Sequence, residues 1–282
     1  MPKKSIFFTN KDEILEGLKK KYYNQHELIK YHQKCKDNKL IPNSMNLSTF
    51  LSNLNNYGFS AKSIYTDDVI KTLYSFEEDI NIYDFTYHFS NKGFFSMTTA
   101  LNIMKLSDKR DNFIFYSTEL SKKNQYKNDI ELKQDIVDKV FSKPYRKTKK
   151  YFKYEDKYIV QLSPKYSNNY EVIEYNGYNI SSINRVFVEL MVNIQYFKDE
   201  DYLIEIIKPL KEKFDINKIY SIIEKFDYIY PYFQLAGYYL EKIGFTKDEL
   251  IIFKNRVTPI KFYTQKMLEN KKFNKYWNIY HY

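Results

Sequence analysis

Side chains capable of acid–base, nucleophilic or metal chemistry are present in this sequence but scattered. His26, His32, His88 and His281 show no metal-ligand spacing. The single cysteine, Cys35, follows His32 by three residues, with no second Cys–His pair to complete a zinc site. Glu171 and Glu174 stand an odd number apart in a strand-like run, so they face opposite sides. Asp199, Glu200 and Asp201 cluster at a helix start, where the helix dipole already accounts for them. There is no glycine-rich phosphate loop, and Ser96 lacks an evident base. The sequence therefore reads as non-enzymatic: no catalytic residue, no metal and no cofactor is expected.

Residues suited to recognition are better organised. A helix starting after Asn46 or Ser44 turns Leu47, Phe50, Leu51, Leu54 and Tyr57 inward, leaving Ser48, Thr49, Ser52, Asn53, Asn55 and Asn56 outside. Asparagine can pair bidentately with adenine, and serine or threonine can reach bases or phosphates, which is what a recognition helix needs. No arginine lies on that face, so modest sequence specificity is expected. The competing reading is a solvated polar face in a chain rich in asparagine. Lys62 and Lys71, on the hairpin that follows, would add phosphate contacts. A second group, Lys143, Arg146, Lys147, Lys149, Lys150, Lys153 and Lys157, is interleaved with Tyr145, Tyr151, Phe152 and Tyr154. Basic and aromatic residues together suit nucleic-acid backbones and exposed bases, and the same strip could meet an acidic partner protein. Arg185 and Glu189, four apart, can pair along a helix surface as a structural anchor.

The elements that must position these residues follow from periodicity. Asn10 to Tyr22 reads as a first helix, with Asn10 as cap and Ile14, Leu15 and Leu18 buried. Gln25 to Cys35 reads as a second, with Leu28, Ile29 and His32 inward. Gly58 stops the third, and two β-type runs, FSAKSIYT and VIKTLYSF, flank an Asp67–Asp68 turn. Three short helices and a hairpin over residues 1–78 is the winged helix-turn-helix plan. A linking helix follows in DINIYDFTYHFSNKG. Past Ser96 come an amphipathic helix, the strand FIFYST, and a helix near Asp129 to Phe141. Residues 91–180 read as mixed α and β and 181–255 as helical, with an aromatic tail at 256–282. Tyr230 and Pro231 open a helix that Gly244 closes, its apolar face set against the stripe Ile183, Phe187, Leu190, Met191 and Ile194. The fold class expected is α+β, mostly helical.

Of 282 residues, 19 % are aromatic and few are glycine or proline, which excludes a disordered chain. Net charge is +10, distributed unevenly. Residues 1–66 hold 11 lysines against 5 acids, 67–90 one lysine against 6, and 91–164 hold 16 basic residues against 9 acidic. Basic excess in the first and middle thirds points to phosphate backbones as a partner. One cysteine excludes an internal disulfide, and MPKKSIFFTN lacks a signal-peptide pattern, so a cytoplasmic protein with no membrane partner is expected.

Four segments, in order, carry a family likeness. FFSMTTALNIMKL (Phe94 to Leu106), SSINRVFVELMVNIQYF (Ser181 to Phe197), FDYIYPYFQLAGYYLEKIGF and the final IKFYTQKMLENKKFNKYWNIYHY together resemble the AbiEi family of antitoxins. Asn184–Arg185 stands where Glu–Arg is usual, Glu189 where Asp is commoner, and Met97 where His is frequent. The resemblance implies an antitoxin that opposes a nucleotidyltransferase toxin, directly or indirectly, notably in phage defence. Residues 79–282 would form the antitoxin domain, and residues 1–78 would bind duplex DNA at the protein's own promoter. Two other classes stay open: a nuclease with a DNA-binding arm, and an interaction module that has lost DNA binding.

Overall fold

The computed structural model describes residues 5–65, 70–79, 81–89, 93–107, 112–122 and 131–282. It divides into two units, Met1–Asn91 with Phe152–Asp156, and Lys92–Tyr151 with Lys157–Tyr282. The fold is α+β, with helices packed on a mixed sheet.

In the first unit, the helix expected from Asn10 to Tyr22 is the shorter α2 (Lys11–Glu16), and a further short helix, α1 (Ile6–Thr9), precedes it. Ser5 Oγ accepts the Phe8 amide and starts α1. Asn10 makes no capping bond; its side-chain amide donates to the Leu40 carbonyl at 3.1 Å. The chain leaves α2 at Gly17, where a Cβ would meet the Tyr31 hydroxyl at 2.0 Å, so a larger residue there would require the Tyr31 side chain to move. α3 (Gln25–Asp37) begins with a capping box in which Asn24 Oδ1 accepts the Glu27 amide and the Glu27 carboxylate accepts the Asn24 amide. Leu28, His32 and Cys35 form its buried stripe. Ile29, expected inside, is 48 % exposed because it sits one step around the helix from that stripe. α4 (Leu47–Asn55) is capped by Asn46 Oδ1 on the Thr49 amide, and Phe50 and Leu54 are its fully buried anchors.

β1 (Ser60–Tyr65) and β2 (Ile70–Ser75) pair antiparallel, from Ser60 opposite Ser75 to Tyr65 opposite Ile70. The expected Asp67–Asp68 turn lies outside the described residues. Lys153 of the returning segment pairs with Tyr65. α5 (Ile82–Phe89) is held to this unit by Phe85, whose ring meets that of Tyr22 edge-on at 5.8 Å, and by a Lys21–Asp84 ion pair.

The second unit contains β3 (Phe94–Phe95), α6 (Met97–Ile103), β4 (Phe113–Ser117), α7 (Gln134–Phe141) and β6 (Lys157–Leu162), while β5 (Tyr151–Tyr154) lies in the first unit but for Tyr151. β7 (Val172–Tyr175) and β8 (Tyr178–Ser181) follow. Its strands run β6-β4-β3-β8-β7, with β4–β6 and β3–β8 parallel and β3–β4 and β7–β8 antiparallel. α6 is not amphipathic as expected: Met97 to Leu101 are all buried, because β4 lies on one side of the helix and α8 on the other.

α8 (Ile183–Val192), α9 (Glu200–Ile207), α10 (Ile216–Phe226), α11 (Tyr232–Lys242) and α12 (Ile251–Lys254) complete the helical part. Asp215 caps α10 on two amides, and Ile219, Ile222, Ile223 and Phe226 make one apolar stripe. The tail is structured: β9 (Phe262–Tyr263), β10 (Lys272–Asn274) and β11 (Ile279–His281) form a small sheet in the order β10-β11-β9. Trp277, fully buried, lies on Gly237 of α11, where a Cβ would meet its ring at 2.2 Å.

Candidate nucleic-acid interface

α4 presents the polar face that its sequence pattern implies. Ser48, Thr49, Ser52, Asn55 and Asn56 are exposed, while Leu47, Leu51 and Tyr57 pack partly buried against the core of the unit. Asn53 differs: it is half-buried, with its amide 4.0 Å from Met45 Sδ. Just before α4, Lys30, Lys34, Lys36 and Lys39 lie along α3 and the turn after it.

Of the two hairpin lysines, Lys71 is exposed and Lys62 is half-buried. Lys62 lies opposite Leu73 and Lys71 opposite Ile64, so both lysines project from the same face of the hairpin as those two buried residues. Lys62 Nζ donates to the Glu78 carbonyl at 2.7 Å, and Lys71 Nζ stands 5.5 Å from the Phe89 ring centre. The other face carries Ala61, Ser63, Tyr65, Thr72 and Tyr74; Ser63 and Thr72 join their hydroxyls at 2.8 Å, and Tyr74 packs on the core of the unit, its ring stacked on Phe59.

Charge also redistributes once the fold is known. Residues 1–91 hold 12 lysines and 11 acids, and the return at 152–156 adds Lys153 against Glu155 and Asp156, so the first unit has 13 of each and no net charge. The whole +10 belongs to the second unit.

Within the basic strip, Lys143, Arg146, Lys147, Lys149 and Lys150 are exposed on an irregular segment of the second unit, and Lys153 is exposed in the first. The segment is pinned by the Thr148 amide donating to Tyr196 Oη at 3.0 Å and by the Gln161 amide donating to the Lys150 carbonyl at 2.8 Å. Of the interleaved aromatics, Tyr151 is exposed, Tyr145 and Tyr154 are half-buried, and Phe152 is buried against Phe89. Only Tyr151 is free enough to stack on a base.

Arg185 and Glu189 do pair, Nε to Oε1 at 2.8 Å, but inside the unit and not along a helix surface. The guanidinium is fully buried. It also donates to Glu119 Oε1 through both terminal nitrogens at 3.2 Å and to the Tyr170 carbonyl at 2.7 Å, between the rings of Phe94 and Phe226. Glu189 accepts from Ser181 Oγ and from the Met97 amide, and Met97 is held at a left-handed φ of 50°. Burial alone would raise the Glu119 carboxyl, but the Ser167 hydroxyl, the Asn169 and Ser167 amides and Arg185 outweigh it and hold it below its ordinary range. Glu119 was not legible as a site residue: it lies 66 positions before Arg185, in a loop. Tyr230 and Pro231 stand at the start of α11, with Pro231 in the cap position.

Among the described residues no group of three or more His, Cys, Asp or Glu could hold a metal ion. No described helix is long and apolar enough to cross a membrane.

No protein-family model matches the chain, and no curated protein matches it in sequence. Among solved structures it is similar to the crystal structure of the RV2827C protein from Mycobacterium tuberculosis, at 9 % identity and a TM-score of 0.59, covering 99 % of this chain and 92 % of that one. At that identity the likeness is one of fold alone.

Proposed function

We propose that this chain is an antitoxin-like regulator without catalytic activity: a winged helix-turn-helix in its first unit binds its own promoter, and its second unit opposes a nucleotidyltransferase toxin in the cytoplasm. The observation that carries the DNA-binding part is the outward face of α4, where Ser48, Thr49, Ser52 and Asn56 stand free on a helix anchored by Phe50 and Leu54. The toxin-opposing part rests on the ordered resemblance of four segments to AbiEi antitoxins. The genes beside this one, and co-expression with any growth-blocking nucleotidyltransferase found there, test that part: restored growth supports it, and the lack of such a neighbour, or unrelieved toxicity in cells holding soluble full-length chain, refutes it.

A second reading, an interaction module that does not bind DNA, is favoured by the absence of net charge in the first unit and by the hydrogen bond that ties Lys62 to the Glu78 carbonyl. The two readings part on salt. A DNA-binding first unit would use Lys30, Lys34, Lys36 and Lys39, so binding should weaken as salt rises, with a slope of about −0.9 per phosphate neutralised.

A further inference from the structure

A cavity of about 230 Å³ opens in the second unit between the ends of α7 and α8, the start of α11 and the segment after β9. One wall is aromatic. The Tyr230 and Phe262 rings stack at 5.7 Å, and Tyr232 meets Phe262 edge-on at 5.6 Å. Arg146 and Lys266 also line the cavity, and no acidic side chain does. Tyr145 Oη accepts the Lys266 amide and the Phe141 carbonyl accepts the Met267 amide, both at 2.7 Å, which fixes the two cation-bearing segments side by side.

Neither Arg146 nor Lys266 has a carboxylate partner among the described residues. Asp138, on α7, is engaged by the hydroxyl of Tyr263 and the amide of Gln134. Burial lowers the Lys266 ammonium below its ordinary value, and the neighbouring charges of Arg146 and Lys143 lower it further. Of the helix ends that border the cavity, those of α7 and α8 carry partial negative charge and the start of α11 partial positive charge; their sum is about half a negative charge, which the two whole charges of Arg146 and Lys266 outweigh. Thr264, 2 % exposed, lines the cavity too, and its hydroxyl has no hydrogen-bond partner. A buried, unpaired hydroxyl is destabilising, a cost that a polar ligand atom would remove.

We infer that this cavity binds a nucleoside phosphate, with the base against Tyr230, Tyr232 and Phe262, the phosphate on Arg146 and Lys266, and an oxygen or nitrogen of the ligand on the Thr264 hydroxyl. An inorganic anion would leave the aromatic wall unused, and an uncharged ring would leave the two cations uncompensated. The volume lies below the roughly 300–1,000 Å³ of sites that enclose a drug-sized ligand, so part of the nucleotide stays in solvent. A free mononucleotide and the 5′-phosphorylated end of an RNA share this chemistry. The inference does not rest on the DNA-binding or toxin-opposing readings.

Calorimetric titration of the full chain with the four ribonucleoside monophosphates, the parent nucleosides, inorganic phosphate and a 5′-phosphorylated tetraribonucleotide tests it. At least one nucleotide should bind about tenfold or more tighter than both its nucleoside and inorganic phosphate. Arg146→Gln with Lys266→Gln should weaken binding about tenfold or more, and Thr264→Val severalfold, with Trp277 fluorescence confirming that each variant is folded. Arg146 is exposed, so Arg146→Gln alone keeps the test open if the double variant fails to fold. Tighter binding of the tetranucleotide would assign an RNA end, and tighter binding of the mononucleotide a free nucleotide. No binding at about 1 mM of any nucleotide, phosphate binding as tightly as nucleotide, or unchanged binding by folded variants would overturn the inference.

Discussion

Replacing Arg185 by methionine removes the charge at the centre of the second unit while keeping most of the side-chain volume. Glu119 and Glu189, whose side chains are 6 % and 10 % exposed, would then be buried without a counter-charge. Breaking a buried pair from one side costs about 3–5 kcal/mol. Here the lower end applies, because Glu119 keeps the Ser167 and Asn169 donors and Glu189 keeps Ser181 Oγ and the Met97 amide. About 3 kcal/mol corresponds to roughly 6–12 °C of melting temperature, at about 2–4 °C per kcal/mol for domains of 150–250 residues. The loss should also depend on pH. In the wild type the Glu119 carboxyl is lowered, so its stabilisation is present above the ordinary carboxyl value and is lost as pH falls through the lowered one. Without Arg185 one of the forces lowering it is gone, so Glu119 protonates at a higher pH and the gap between the proteins narrows on acidification. Trp277, the only tryptophan and fully buried in the second unit, reports unfolding of that unit in urea at pH 7 and pH 4. A loss under about 1 kcal/mol at pH 7, or a gap that does not change with pH, would refute the view of Arg185 as the counter-charge for two buried carboxylates.

Gly237→Ala should destabilise the second unit by about 1–3 kcal/mol and shift Trp277 emission to the red, since the new Cβ meets the indole at 2.2 Å. A variant stabilised by alanine's better helix propensity would contradict the close approach. Asn24→Ala should remove the side-chain half of the α3 capping box, cost about 1 kcal/mol and speed hydrogen exchange of the Glu27 amide. Unchanged exchange would mean that water replaces the cap without loss.

Helices were legible where cap and stripe agreed. Asn46 with Phe50 and Leu54 fixed α4, and Pro231 with Leu235, Tyr239 and Gly244 fixed α11. Strand parity held a signal that the charge pattern obscured: Lys62 stands two before Ile64 and Lys71 two before Leu73, which puts both lysines on the apolar face. The spacing of Arg185 and Glu189 permits a pair, but whether it is buried depends on Glu119 and on the rings of Phe94 and Phe226, all far away in sequence. Tail strands of two or three residues are too short to show alternation, so the seat of Trp277 on Gly237 had no local trace. The basic excess of residues 1–66 was real as a count, but folding adds the acidic residues of 67–90 and 152–156 to the same unit.

Fluorescence anisotropy of the full chain on duplex DNA from directly upstream of its own coding region, against an unrelated duplex of equal length, tests most directly whether α4 reads DNA. The account predicts tighter binding to the upstream duplex, weakened about 1–3 kcal/mol by Ser52→Ala with Asn56→Ala while the unrelated duplex is little affected. Equal affinity for both duplexes, or an upstream affinity that the double substitution leaves unchanged, would contradict it.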